Sequence, residues 1–155
     1  MKPYFCLFAV LFLSNSSIAQ QAVPSEREGI ELKAFVKNYA NAFNQENAEK
    51  VQSFFHFPHS TLNQDQEFKV ITQKSELNLE PFWEVIKTDY GWKSNKVTDI
   101  KIYAATEEKA MVSLEMEGVD NEGKTFTLVR GFLGMSKVGG KWGFSQVAWY
   151  FFPAE

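Results

Sequence analysis

Cysteine is almost absent. The one copy, Cys6, sits in an apolar N-terminal run, so the remainder of the 155-residue chain has none. That excludes disulfides, a thiol nucleophile and zinc–thiolate sites from the folded part. Histidine is nearly as scarce, with only His56 and His59. No carboxylate cluster stands beside them in the sequence, so no metal or other cofactor is expected. There is no basic cluster either. Sixteen Lys and Arg against nineteen Asp and Glu give a net charge of −3, which argues against nucleic acid and anionic membranes as partners. The longest apolar run, Tyr4–Leu13, is about ten residues, well short of the roughly 20 needed to span a bilayer. No phosphate loop, Ser/His/Asp spacing or paired-carboxylate motif occurs. No repeat, low-complexity tract or long linker divides the chain. What is plentiful is aromatic: 15 Phe, 5 Tyr and 4 Trp, enough for a heavily aromatic core or an aromatic-lined cavity.

The N-terminus begins Met1-Lys2-Pro3, runs apolar to Leu13, and continues Ser14-Asn15-Ser16-Ser17-Ile18-Ala19. A positive start, a short apolar core and small residues before the cut describe a secretory signal peptide over 1–19. The expected location is periplasmic or secreted. Cys6 lacks the flanking pattern of a lipid-attachment site. Residues 20–27 are polar with Pro24 and read as a mobile lead-in. Residues 28–155 make one domain, long enough for a proper core.

From Glu28, Leu32, Phe35, Val36, Tyr39, Ala40 and Phe43 recur at spacings of three and four, which predicts a long amphipathic helix. A short helix is expected over Ala48–Phe55, ended by Pro58. His59–Asn63 and Glu67–Thr72 read as a small hairpin. Ser75 can open a third helix to Tyr90, although Pro81 moves its start nearer Leu79. Gly91 ends it. Four strands follow, about Lys96–Ala104, Ala110–Gly118, Thr125–Lys137 and Trp142–Phe151, joined by Gly- and Asn-rich turns. In the second, Ala110, Val112, Leu114 and Met116 alternate with Met111, Ser113, Glu115 and Glu117. In the fourth, Trp142, Phe144, Ala148 and Tyr150 fall on one face and Val147, Trp149 and Phe151 on the other. Apolar residues on both faces mean that both faces are covered. Helices supply one cover. A second copy of the chain is the expected other, giving a homodimer through the outer sheet face.

This order of elements resembles the nuclear-transport-factor-2-like, or SnoaL-like, superfamily. Val36–Asn44 followed by Val51–Phe55 looks like its first two helices, and Gly140-Lys141-Trp142-Gly143-Phe144 like the entry to its last strand. Phe57-Pro58-His59, Gly91-Trp92 and Phe152-Pro153 are similar to a subgroup of hypothetical proteins within it. The resemblance implies an α+β roll of cystatin-like type. In it a cone-shaped, bent antiparallel sheet wraps a long N-terminal helix, with three helices in all and a pocket at the open end. The superfamily holds isomerases, cyclases, dehydratases, epoxide hydrolases and non-catalytic binding domains, so the fold does not choose a function.

Tyr39 aligns with the oxyanion-hole tyrosine of ketosteroid isomerases, whose chemistry also needs an Asp base and a second acid. Here the base position falls on Asn63 and the acid near Arg130-Gly131, so enolisation is excluded. Tyr39 remains a candidate hydrogen-bond donor and His59 a candidate base, since an imidazole titrates near neutrality. His56 ends the second helix, where a cation suits the helix dipole. Arg130, mid-strand among Phe126, Leu128 and Phe132, needs either an acid such as Glu115 or Glu117 or a ligand anion. Trp83 and Trp149 are candidate cavity walls, and Gln146 a polar group that can orient a ligand. The sequence therefore predicts that Tyr39, His59, Trp83, Arg130, Gln146 and Trp149 border one cavity. The first reading is an exported protein binding an unidentified small molecule in an apolar pocket. One alternative is a lyase or isomerase using His59 and Tyr39. Another is a dimeric interaction module whose pocket is filled by its own side chains.

Overall fold

The computed structural model describes residues 24–63, 65 and 67–154. The expected signal peptide and most of the lead-in lie outside the described residues. Helix α1 spans Glu26–Asn44 and starts two residues before the apolar stripe. Ser25 explains the start. Its Oγ accepts from the Glu28 N–H, and the Glu28 carboxylate accepts from the Ser25 N–H at 2.9 Å. This reciprocal cap satisfies two otherwise orphaned amides. Helix α2 is only Ala48–Gln52, capped by Asn47. Phe54 and Phe55 have already left it, and strand β1 runs Phe55–Leu62. Pro58, expected as a helix stop, lies inside that strand, with a cis Phe57–Pro58 peptide. Strand β2, Phe68–Ile71, pairs antiparallel with β1 as the small hairpin. Ser75 falls in a single 3₁₀ turn, and helix α3 is Glu80–Tyr90 with Pro81 in its first turn. Gly91, at φ 63°, terminates it in the left-handed conformation.

The long strands follow: β3 Trp92–Ala105, β4 Lys109–Asp120, β5 Thr125–Val138 and β6 Lys141–Pro153. They form an antiparallel meander. The sheet order is β2-β1-β6-β5-β4-β3, with β1 parallel to β6, so the sheet is mixed. The helices lie on one face. Leu32, Val36, Tyr39 and Phe43 of α1 and Trp83 of α3 are buried with Val112, Leu114, Leu133, Met135 and Phe144 of the sheet.

Among the register shifts of the sheet, the one in β6 decides which of its residues face the helices. Phe144 pairs with Met135, but the next pair is Gln146 with Gly134, which leaves Ser145 as an extra residue. Its Oγ donates to the Gly134 carbonyl at 3.2 Å. A bulge of this kind flips the facing of everything beyond it. Trp142 and Phe144 therefore share the helix-covered face with Val147 and Trp149, rather than with Ala148 and Tyr150. The bulge turns these four side chains toward the helices. Gln146, Ala148 and Tyr150 go to the outer face.

Candidate functional site

Tyr39 is the hub of the interior. The α1 period aims it at β6, and its ring is 6% exposed. Phe144 meets it edge-on at 5.0 Å, Phe54 at 5.9 Å and Phe55 at 6.0 Å, while Trp149 stacks on it at 6.2 Å and 19°. Gly131 makes that stack possible. A Cβ at 131 would lie 2.9 Å from the Trp149 ring carbons Cε3 and Cη2, tighter than carbon contacts allow. The Tyr39 hydroxyl makes no hydrogen bond among the described residues. Burial pushes its pKa well up, so it stays protonated at any ordinary pH.

His59 also faces inward, as the alternation of β1 requires, and is 3% exposed. Its ring lies against Phe55 at 4.7 Å and Phe57 at 5.3 Å. Its Nδ1 is buried with no partner. Burial lowers its pKa, so the imidazole is neutral. Trp83 is buried against Phe43 at 5.4 Å, and its Nε1 also lacks a partner. Tyr39 thus touches Trp149 directly, reaches Trp83 through Phe43, and reaches His59 through Phe55. Phenylalanine rings, rather than open space, join these residues. His56 does not share the site. Its Nε2 lies 3.2 Å from the Lys141 carbonyl, and its ring covers Gly143.

Two predicted members are elsewhere. Arg130 pairs with Glu115 and Tyr150 across the sheet, which puts it on the outer face. Its guanidinium bonds the Glu115 carboxylate at 2.9 Å. The acid partner on β4 is therefore what satisfies it, and the pocket placement is corrected. Gln146 is likewise outer and exposed, its side chain lying over Gly134. The Ser145 bulge is the reason.

The outer face carries many of the exposed apolar side chains of the described residues. Phe68 and Val70 of β2, Tyr103 of β3, Met111 of β4, Leu128 and Phe132 of β5 and Phe152 of β6 are each 40–65% exposed. Six charged side chains share its central rows, and all are paired. These are Arg130 with Glu115, Lys101 with Asp99 at 3.2 Å, and Lys96 with Glu117 at 3.4 Å.

Two clefts lie on the surface. One, of about 410 Å³, is lined by Glu28, Glu107, Glu108, Lys137 and the Gly139-Gly140 turn. The other, of about 640 Å³, runs between the first turns of α1 and β3. Neither is lined by Tyr39, His59, Trp83 or Trp149. The residues the sequence reading missed are Phe54, Phe55, Phe144 and Gly131. The apolar pattern and the high Phe count pointed to the three phenylalanines but left filled and open interiors undecided, and nothing in the sequence singled out Gly131.

No family model matches the chain, and no curated protein does. Solved structures do. A cystatin-like-fold protein of unknown function from Nostoc punctiforme is similar at a TM-score of 0.66 and 13% identity, covering 84% of this chain and 95% of its own. A nuclear-transport-factor-2-like protein of unknown function from Pseudomonas putida gives 0.62 at 13% identity, over 81% and 87%. A ketosteroid isomerase-like protein from Erwinia carotovora atroseptica gives 0.62 at 15% identity, over 84% and 100%. At such identities the likeness is one of fold, and on it the chain has the cystatin-like, nuclear-transport-factor-2-like α+β fold.

Proposed function

We propose that this protein is an exported, non-catalytic interaction module: its interior is filled by its own aromatic side chains, and its working surface is the outer face of the sheet. The observation that carries this reading is the contrast between the faces. Where related folds hold a pocket, Tyr39 is packed by Phe54, Phe55, Phe144 and Trp149. On the opposite face, seven large apolar side chains from five strands stand in solvent. Large apolar side chains exposed together on one face mark interaction sites. The absence of any inward carboxylate or ammonium among the described core residues weighs against acid–base chemistry. Export rests on Met1–Ala19 alone, and intact-mass measurement of native material beginning near Gln20 is the check.

A second reading, small-molecule binding, has its own support. The His59 Nδ1 and Trp83 Nε1 are buried without partners, a state that usually has a reason. One experiment separates the two. The filled-interior reading predicts that a panel of small aromatic and carboxylate ligands leaves the wild-type melting temperature unchanged. Trp149→Ala should then gain binding of benzene-sized molecules, because a dry apolar cavity takes them. A wild-type shift that disappears in Tyr39→Phe would establish the small-molecule reading instead.

A further inference from the structure

We infer that the open edge of β3 is a docking site for an extended peptide segment of another protein, which adds a strand to the sheet in the cleft between β3 and α1. The inference goes beyond the outer-face reading and does not depend on it.

The sheet ends at β3, so one side of that strand has no neighbouring strand. The chain closes part of this edge itself. The Asn44 side chain accepts from the Asn95 N–H and donates to the Asn95 carbonyl, both at 2.8 Å, as a neighbouring backbone would. Further along, that role is unfilled. Among the described residues, the backbone of Asp99–Tyr103 is paired only with β4. Register shifts between Val97 and Asp99 and between Ile102 and Ala104 bound this stretch.

The cleft of about 640 Å³ follows the same five residues. Ile100 and Ile102, which pack toward the core, line it together with Asp99, Lys101 and Tyr103, which face the other way. Residues from both faces of one strand meet only around its edge. The opposite wall is a stripe of α1 made by Glu26, Gly29, Ile30 and Lys33, at spacings of three and four. Gly29 leaves room there, because its Cβ would stand 3.8 Å from Ile102 Cδ1.

These features select the occupant. Unpaired N–H and C=O groups of a strand edge are satisfied by another extended backbone, which is how peptides add to sheets. Five strand residues at about 3.3 Å each span about 16 Å, room for about five peptide residues. Ile30, 65% exposed, stands opposite Ile100 and Ile102 as an apolar seat. Lys33 has no ion pair among the described residues, so a peptide carboxylate complements it. Glu26 lies seven residues back along the helix, about 10 Å away, and disfavours an acid at that end. The favoured segment is therefore extended, apolar at its middle and acidic beside Lys33.

The test is selection of a random dodecapeptide display library on the immobilised full chain. Enriched peptides are then synthesised and measured in solution by fluorescence polarisation. They should carry apolar residues at alternate positions and an acid. N-methylation of one alternate set of peptide amides should weaken binding at least about tenfold, the scale of two lost hydrogen bonds, while the other set is spared. Ile30→Glu should weaken binding by about as much. Lys33→Glu should weaken it about threefold to tenfold for acid-bearing peptides and spare their glutamine versions. Val85→Glu on α3, outside the cleft, should change nothing. Circular dichroism must show that the variants keep the fold, and the methylation arm needs no variant. No enriched peptide, or binding indifferent to both Ile30→Glu and methylation, overturns the inference. So does binding that appears only once residues 20–23 are deleted, which makes the chain's own lead-in the occupant. Binding lost in Phe132→Glu and kept in Ile30→Glu places the peptide on the outer face, which supports the working surface named above and overturns the edge site.

Discussion

The two faces of the sheet are built from the same four long strands and end in opposite states. On the inner face, Val112, Leu114, Leu133 and Phe144 are fully buried beneath α1. On the outer face, Met111, Leu128, Phe132 and Phe152, each within two residues of a buried neighbour in β4 or β5 or beyond the bulge of β6, are at least 40% exposed. Both faces carry large apolar side chains. What differs is whether the chain itself supplies a cover. The inner face has two helices and a mesh of edge-on rings. The outer face carries three ion pairs spread among hydrophobic side chains. Such pairs are worth little as stabilisers in water, but they place charge among the exposed hydrophobic side chains.

Substitutions that strike one face only will sharpen or break this comparison. The largest loss is expected at the centre of the inner face. Phe144→Ala leaves Phe35, Tyr39 and Phe55 without their common neighbour, and it should cost about 3–5 kcal/mol in urea denaturation. If the loss were below about 1 kcal/mol, the interior would not be tightly filled. Gly131→Ala comes next, at about 1–3 kcal/mol, because the added methyl displaces Trp149 from Tyr39. Its tryptophan fluorescence should change with its stability. An unchanged spectrum would mean that the stack is not the resting state.

Acid should act on the inner face through His59. Burial holds its folded pKa below the ordinary 6.5, so the unfolded chain binds the proton first. Stability from this group is complete above about 6.5 and declines as pH falls from there toward the depressed folded value. Wild type should lose stability on acidification through that range, and His59→Phe should remove this component. A His59→Phe profile that parallels the wild type there would show that the ring is not buried neutral. The smallest effect is expected on the outer face. With its side chain 48% exposed, Arg130 should contribute less than about 1 kcal/mol to the isolated chain, so Arg130→Ala should barely move the urea midpoint. A loss above 2 kcal/mol would make that ion pair part of the core.

Much of the scaffold was legible because long amphipathic periods leave little choice. The α1 stripe from Leu32 to Phe43 and the alternation in Ala110–Glu117 stand as the sequence implied. The Gly91 stop and the late start of α3 follow from local backbone rules. One failure arises because facing depends on register. Ser145 is a single extra residue against β5, invisible to a count of two, and it reassigns Trp142, Phe144 and Gln146 at once. Helix α2 was read too long because Phe54 and Phe55 continue an apolar pattern that β1 uses as a strand. At the site, Tyr39 and Trp149 could be placed from periodicity, whereas whether space remained between them could not. That depends on Phe54, Phe55 and Phe144 converging from two elements, and on Gly131 letting an indole lie flat. Arg130 was ambiguous until pairing set Glu115 beside it.

The central claim is that the chain fills its inner face with its own aromatic side chains. The response of the melting temperature to small ligands tests this most directly, because a ligand that binds only the folded state raises it. We expect a panel of small aromatic and carboxylate ligands to leave the wild-type melting temperature unchanged, while Trp149→Ala gains a shift with benzene-sized molecules. A wild-type melting temperature that rises when such a ligand is added, and does so only with Tyr39 intact, would contradict the account.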